Sequence, residues 1–204
     1  MLPIETIKEE LQSQLSQKRY RHSLGVADEA VRLALHYGAD DKKAYLAGLV
    51  HDCAKEIPVE KAIALLREKY GMLPDCVALK SPNVLHGPLG AYMAQSLFQI
   101  YDPEILDAVR YHTTGKANMS LLSKIIYIAD YIEPGRSYPD VEKLRELTYE
   151  DIDRAILFGI DFTIGNLVNR GVVIHPDTVH CRNDILIALD RKNKSEEQVN
   201  DHET

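Results

Sequence analysis

Apolar residues recur at helical spacing along nearly the whole chain. Ile4, Ile7, Leu11 and Leu15 mark one face of a first amphipathic helix over about 3–17. A second, over about 19–37, carries His22, Val26, Ala30, Leu33 and Ala34 on one face, and Gly38 supplies its C-terminal stop. A third, over about 41–54, is apolar almost all round, the mark of a buried helix. Pro58 opens a fourth that ends at Tyr70-Gly71. The stretch 71–85, with Gly71, Pro74, Ser81, Pro82 and Asn83, reads as loop holding one short helix.

Beyond it the pattern predicts a helix over about 86–100 and another from Asp102-Pro103-Glu104 to about 112, with Asp as N-cap and Pro at the first position. A helix over about 119–133 stops at Pro134-Gly135. A short helix follows Tyr138-Pro139, then a long one over about 149–169, and a last from Pro176-Asp177 to near Asp190. The one β-like run, Val172-Val173-Ile174, is too short to support a sheet. The expected fold is therefore an all-α, single-domain helical bundle over 1–190. Residues 191–204 hold one apolar residue and read as a disordered polar tail, in which His202 has no role.

Composition changes this picture little. At 204 residues the chain can bury one sizeable core, and 45% apolar with 27% charged residues is ordinary for a globular domain. The net charge of −7 argues against a general nucleic-acid binder, which needs clustered Lys and Arg, but leaves room for a small phosphorylated substrate. Cys53, Cys76 and Cys181 lack metal-type spacing and read as reduced thiols. No stretch resembles a signal peptide or approaches the roughly 20 apolar residues of a membrane span, so a cytoplasmic protein without membrane contact is expected.

The chemistry begins at His51-Asp52. An ionised carboxylate beside an imidazole in the apolar run Ala44–Val50 is costly unless a cation compensates it. With His22 upstream and Asp130 downstream, the order is H…HD…D, a ligand set for a borderline or hard divalent ion. Successive helical residues lie about 100° apart, so His51 and Asp52 converge on one ion only if their helix points obliquely at it. Lys55 shares their face and can hold a phosphate as a point charge. Gly25, a turn after His22, would let a substrate approach closely. His86 opens a helix and His112 ends one; they would either complete a second metal site bridged by Asp52 or bind phosphate. His36 reads as a helix C-terminal residue facing the dipole, His180 as a surface residue, and Glu133 as a solvated carboxylate.

Longer phrases narrow this further. Arg21-His22-Ser23-Leu24-Gly25-Val26, His51-Asp52-Cys53-Ala54-Lys55, Val84-Leu85-His86-Gly87-Pro88, Ala129-Asp130-Tyr131-Ile132-Glu133-Pro134-Gly135-Arg136 and Arg170-Gly171-Val172-Val173-Ile174-His175-Pro176 resemble the HD-domain superfamily. Within it they look like the bacterial symmetrical bis(5′-nucleosyl)-tetraphosphatases, over about residues 15–190. The resemblance implies an HD-type bundle that cleaves diadenosine tetraphosphate to two ADP by attack of metal-activated water. It implies iron, with manganese, cobalt or zinc as substitutes, held by His22, His51, Asp52 and Asp130. Asp52, Lys55 and Arg136 would be catalytic. Gly25, Asp52, Cys53, Ala54, Lys55, His86, His112, Thr113 and Arg136 would line the phosphates, and Arg170, Gly171, Val172, Val173, Ile174 and His175 would wrap a nucleoside. The partners implied are dinucleoside polyphosphates or nucleoside diphosphates; a homo-oligomer is left open. The alternatives are an HD-type hydrolase of another nucleotide, such as an alarmone or a nucleoside 5′-phosphate, and a non-catalytic nucleotide sensor.

Overall fold

A computed structural model describes the backbone of residues 1–200 and the side chains of 1–194. The described residues form eleven α-helices and no strand: α1 Ile4–Gln14, α2 Gln17–Tyr37, α3 Asp41–Val50, α4 Val59–Ala64, α5 Cys76–Lys80, α6 His86–Phe98, α7 Pro103–Tyr111, α8 Leu121–Ile132, α9 Val141–Glu150, α10 Ile152–Asn169 and α11 Pro176–Asn200. Side-chain oxygens of Asp40, Asp102, Ser120 and Asp151 accept backbone N–H groups at the starts of α3, α7, α8 and α10, the local signal that sets where each begins. No helix of the described residues is long and apolar enough to cross a membrane.

The differences from expectation are informative. Helix α3 ends at Val50, so His51 is its C-cap and Asp52 lies in the turn beyond. The expected helix to about 54 stops there, and both side chains turn toward the same point. Helix α4 passes into a π-helical turn over Leu65–Lys69. The 71–85 loop holds α5 and a 3₁₀ turn at Pro82–Val84. Helix α11 runs past the expected end near Asp190 to Asn200; a helix continues on its own backbone bonds, so polar side chains alone do not halt it. Residues 201–204 of the expected tail, His202 among them, lie outside the described residues.

Helix α8 runs through the middle of the bundle. Its Ile125, Ile126, Tyr127 and Ile128 are wholly buried, and α2, α7 and α10 pack around it. Two close approaches pull the other site-bearing helices together. A Cβ on Gly48 of α3 would meet the Ala27 Cα of α2 at 2.8 Å. A Cβ on Gly87 of α6 would collide with the Arg110 carbonyl of α7. The first contact draws His22 and His51 together, the second His86 and His112.

Gly48→Ala forces backbone apart and is expected to cost about 1–3 kcal/mol in denaturant unfolding. Gly165→Ala in α10, where a Cβ meets nothing within 4 Å, is expected to stabilise by about 0.5–1 kcal/mol. Equal effects of the two would contradict the α2–α3 contact.

Candidate metal centre

Five elements aim side chains at one buried point, and most do so from a helix end. His22 projects from α2, His51 and Asp52 from the turn after α3, His86 from the first residue of α6, His112 from the C-cap of α7, and Asp130 from α8. The His22 Nε2 lies 3.0 Å from Asp130 Oδ1 and 3.7 Å from Asp52 Oδ2. The His51 Nε2 lies 3.4 Å from Asp52 Oδ2 and 4.0 Å from Asp130 Oδ1. On the other side of the same carboxylate, Asp52 Oδ1 is 3.1 Å from His86 Nε2 and 3.4 Å from His112 Nε2. Those two ring nitrogens are 2.8 Å apart.

Every one of these imidazoles has its Nδ1 against an acceptor. His51 faces the Gly48 carbonyl at 2.6 Å, His86 that of Asn83 at 2.5 Å, and His112 that of Val109 at 2.7 Å. His22 faces the Glu133 carboxylate at 3.1 Å. Each Nδ1 must therefore carry the proton, which leaves each Nε2 a lone pair aimed at the centre. Burial holds the His86 pKa down to about 4, so this ring is neutral at neutral pH. Burial opposes ionisation of Asp52 and Asp130. Positive charge on the imidazoles around both, with Arg136 beside Asp130, outweighs it and holds the two carboxylates below their usual range; where the rings are neutral, a bound cation takes that part.

The result is a knot of acceptors. The His22 Nε2, His51 Nε2 and Asp52 Oδ1 are buried and have no hydrogen-bond partner. Buried unpaired acceptors are rare and costly, and several converging on one point call for a cation. The donor atoms fall into two groups close enough to share an ion: His22, His51 and Asp130, and His51, Asp52 and His112. Nitrogen and carboxylate oxygen together suit a divalent transition metal, so the residues present fit such an ion.

Cations rim the cluster. The Arg136 guanidinium bonds Asp130 Oδ1, and its Nε donates to the Asp130 carbonyl at 2.7 Å. The Lys55 ammonium lies 3.2 Å from His86 Nε2, and the Thr113 hydroxyl lies 3.1 Å from both His86 and His112 Nε2. A cavity of about 290 Å³ opens off the centre, reaching from Lys55, Thr113 and Arg136 to an apolar wall at Tyr138, Phe158 and Phe162. A second, of about 180 Å³, is lined by Tyr111, Thr114 and His175.

The HD-domain model matches residues 19–135, more than half of the chain. This chain belongs to the HD-domain family. Among its relatives is a Bacillus subtilis protein named bis(5′-nucleosyl)-tetraphosphatase, symmetrical, 41% identical over 82% of this chain and 89% of that protein. A Staphylococcus aureus protein of the same name is 36% identical over 97% of this chain and 98% of its own length. A Clostridium acetobutylicum crystal structure, described as a predicted HD superfamily hydrolase involved in NAD metabolism, superposes with a TM-score of 0.90. It is 44% identical and covers 92% of this chain and 99% of that one.

Within this HD-domain centre several residues differ from expectation. Glu133 is buried rather than solvated; it takes the His22 Nδ1–H and, at 2.6 Å, the Gly135 N–H. The space beside Gly25 is occupied by that carboxylate rather than left for a substrate, since a Cβ there would lie 2.7 Å from Glu133 Oε2. Cys53 and Ala54 are buried, and the Cys53 thiol donates to the Gly90 carbonyl at 3.5 Å. Burial, with Asp52 adjacent, pushes that thiol up to about 12. Two others stand as expected: His36 is in the last turn of α2, where its Nε2 bonds the Tyr149 carbonyl of α9 at 2.9 Å, and His180 is exposed. Arg170, Gly171 and Val173 are exposed as well, while His175 is held near Asp75 at 3.6 Å.

One functional side chain escaped the sequence reading. Arg19 donates to Asp52 Oδ2 at 2.6 Å. It sits three residues before His22, hence on the same helix face; that spacing, not the basic cluster Lys18-Arg19-Tyr20-Arg21, is the signal that selects it.

Glu133→Gln keeps the shape but weakens the acceptor that fixes the His22 tautomer. It is expected to lower metal affinity about 10–100-fold by titration with a chelator, the usual effect of losing a bond that supports a ligand. Unchanged affinity would show that His22 needs no such support.

Proposed function

We propose that this chain hydrolyses diadenosine tetraphosphate symmetrically to two ADP. The observation that carries the reading is the knot of buried, unpartnered nitrogen and oxygen acceptors around Asp52, rimmed by Lys55 and Arg136. The names of the relatives supply the substrate class. His22, His51, Asp52 and Asp130 would hold the divalent ion, which the family resemblance makes iron; manganese, cobalt and zinc suit the same donors. When bound, such an ion supplies hydroxide near neutral pH and polarises a phosphoryl oxygen.

The chain's own residues do the rest. Water adds to the second phosphorus from one end, the bridging P–O bond breaks, and ADP departs. Its developing charge falls to Lys55 and Arg136, fixed donors in a largely buried site, where they act more strongly than in water. Thr113 grips the phosphates, and His86 and His112 do so where their Nε2 atoms carry a proton. With those Nε2 atoms as lone pairs, His86, His112 and Asp52 would hold a second ion. Arg170 to His175 wraps the fixed nucleoside, a role supported by His175 lining the smaller cavity. The proposal includes a cytoplasmic setting, which suits three free thiols.

Product identification after incubation of iron-loaded protein with diadenosine tetraphosphate tests this. ADP is expected as the sole nucleotide product. Asp52→Ala is expected to cost more than the roughly hundredfold that losing a ligand's supporting bond costs. ATP with AMP would overturn the symmetric register. Bound metal without turnover would move the reading to another nucleotide or to a sensor.

A further inference from the structure

We infer that the aromatic cavity bounded by Tyr138 and Phe162 is a nucleobase site. It receives the nucleoside of the half of the substrate that Arg170–His175 does not hold. The inference rests on the dinucleotide reading above and adds to it a second built pocket.

The cavity is continuous with the metal centre. Asp130 and Arg136 belong to both, so a polyphosphate gripped by Arg136 is delivered directly to its mouth. Beyond Arg136 the lining turns apolar, with Leu144 and Phe158 as wall. Phe162 stands at the opening with 53% of its surface exposed. Its ring lies 6.3 Å from that of Tyr138, and the two planes differ by only 20°. A large exposed aromatic costs hydrophobic free energy unless something covers it. Beside a phosphate-binding centre, a flat heterocycle is the cover that fits, because a base stacks on an aromatic face whatever its edge pattern.

Size and polarity agree. About 290 Å³ is at the small end of the range for ligand pockets, room for a base and part of its sugar but not a whole dinucleotide. At the edge, the Tyr131 and Thr163 hydroxyls bond one another at 2.8 Å, offering both donor and acceptor to a ring edge or ribose. The turn Tyr111–Thr114 parts this cavity from the smaller one: His112 and Thr113 line the first, Tyr111 and Thr114 the second. A substrate with a nucleoside at each end thus finds a cavity on either side of the residues that grip its phosphates.

The test compares wild type, Phe162→Ala and Phe162→Tyr, all metal-loaded. Stacking on one aromatic face is worth about 1–3 kcal/mol per base, so Phe162→Ala is expected to raise KM for diadenosine tetraphosphate about tenfold with little change in kcat. Phe162→Tyr should restore it. Inhibition by inorganic tetraphosphate, which has phosphates and no base, should be equal in all three. A KM in Phe162→Ala within twofold of wild type overturns the inference, as does an equal loss of inorganic tetraphosphate binding. Should wild type leave the dinucleotide intact, the proposed activity falls, and calorimetric Kd values for the intact dinucleotide decide the pocket. A fivefold or larger loss in Phe162→Ala supports it; equality overturns it.

Discussion

The centre of this protein depends on one constraint: a carboxylate taken out of water must be surrounded by groups that favour its charge. Asp52 is nearly inaccessible to solvent, and the Arg19 guanidinium brings a fixed positive charge to one of its oxygens. Oδ1 faces His86 and His112, and Oδ2 faces His22, His51 and Arg19. A neutral imidazole whose Nδ1 carries the proton cannot also donate through Nε2, so with neutral rings the arrangement is a set of lone pairs held apart by structure. Such a set is strained without a cation and coherent with one. The packing of α2, α3, α6, α7 and α8 makes sense as the frame that keeps those lone pairs from relaxing away.

That frame explains the repeated use of helix ends. A side chain inside a helix points outward from its own axis, whereas a residue at either end of a helix, or in the turn beyond, can point along it. His51, Asp52, His86 and His112 all use that freedom, and glycine at 48 and 87 lets the carrying helices approach closely enough.

Much of the fold could be read from periodicity because the bundle is amphipathic throughout: Ile7, Leu11, Val26, Ala30 and Leu33 are all fully buried as their spacing requires. The end of α3 could not be read that way. The apolar pattern runs on through Cys53-Ala54, and no glycine or proline marks the break. The metal-type residues were legible because acids and imidazoles in apolar surroundings are conspicuous. Their supports were not. Glu133 stands before Pro134-Gly135 and looks like an ordinary helix terminus; only the long-range contact with His22 shows that it is buried. The aromatic cavity was equally hidden, since Tyr138 and Phe162 meet from separate elements with no shared spacing.

The hydrogen bonds that orient the imidazoles differ in range. His51, His86 and His112 each bond the carbonyl of the residue three positions earlier, so a single local turn sets each ring. His22 lies inside α2, where the preceding carbonyls serve the helix, and it borrows a partner 111 residues away. Three of the four rings are therefore set by local turns, and the fourth by the docking of α2 against the end of α8. Holding an ion in such a protein is therefore coupled to the docking of α2 against α8.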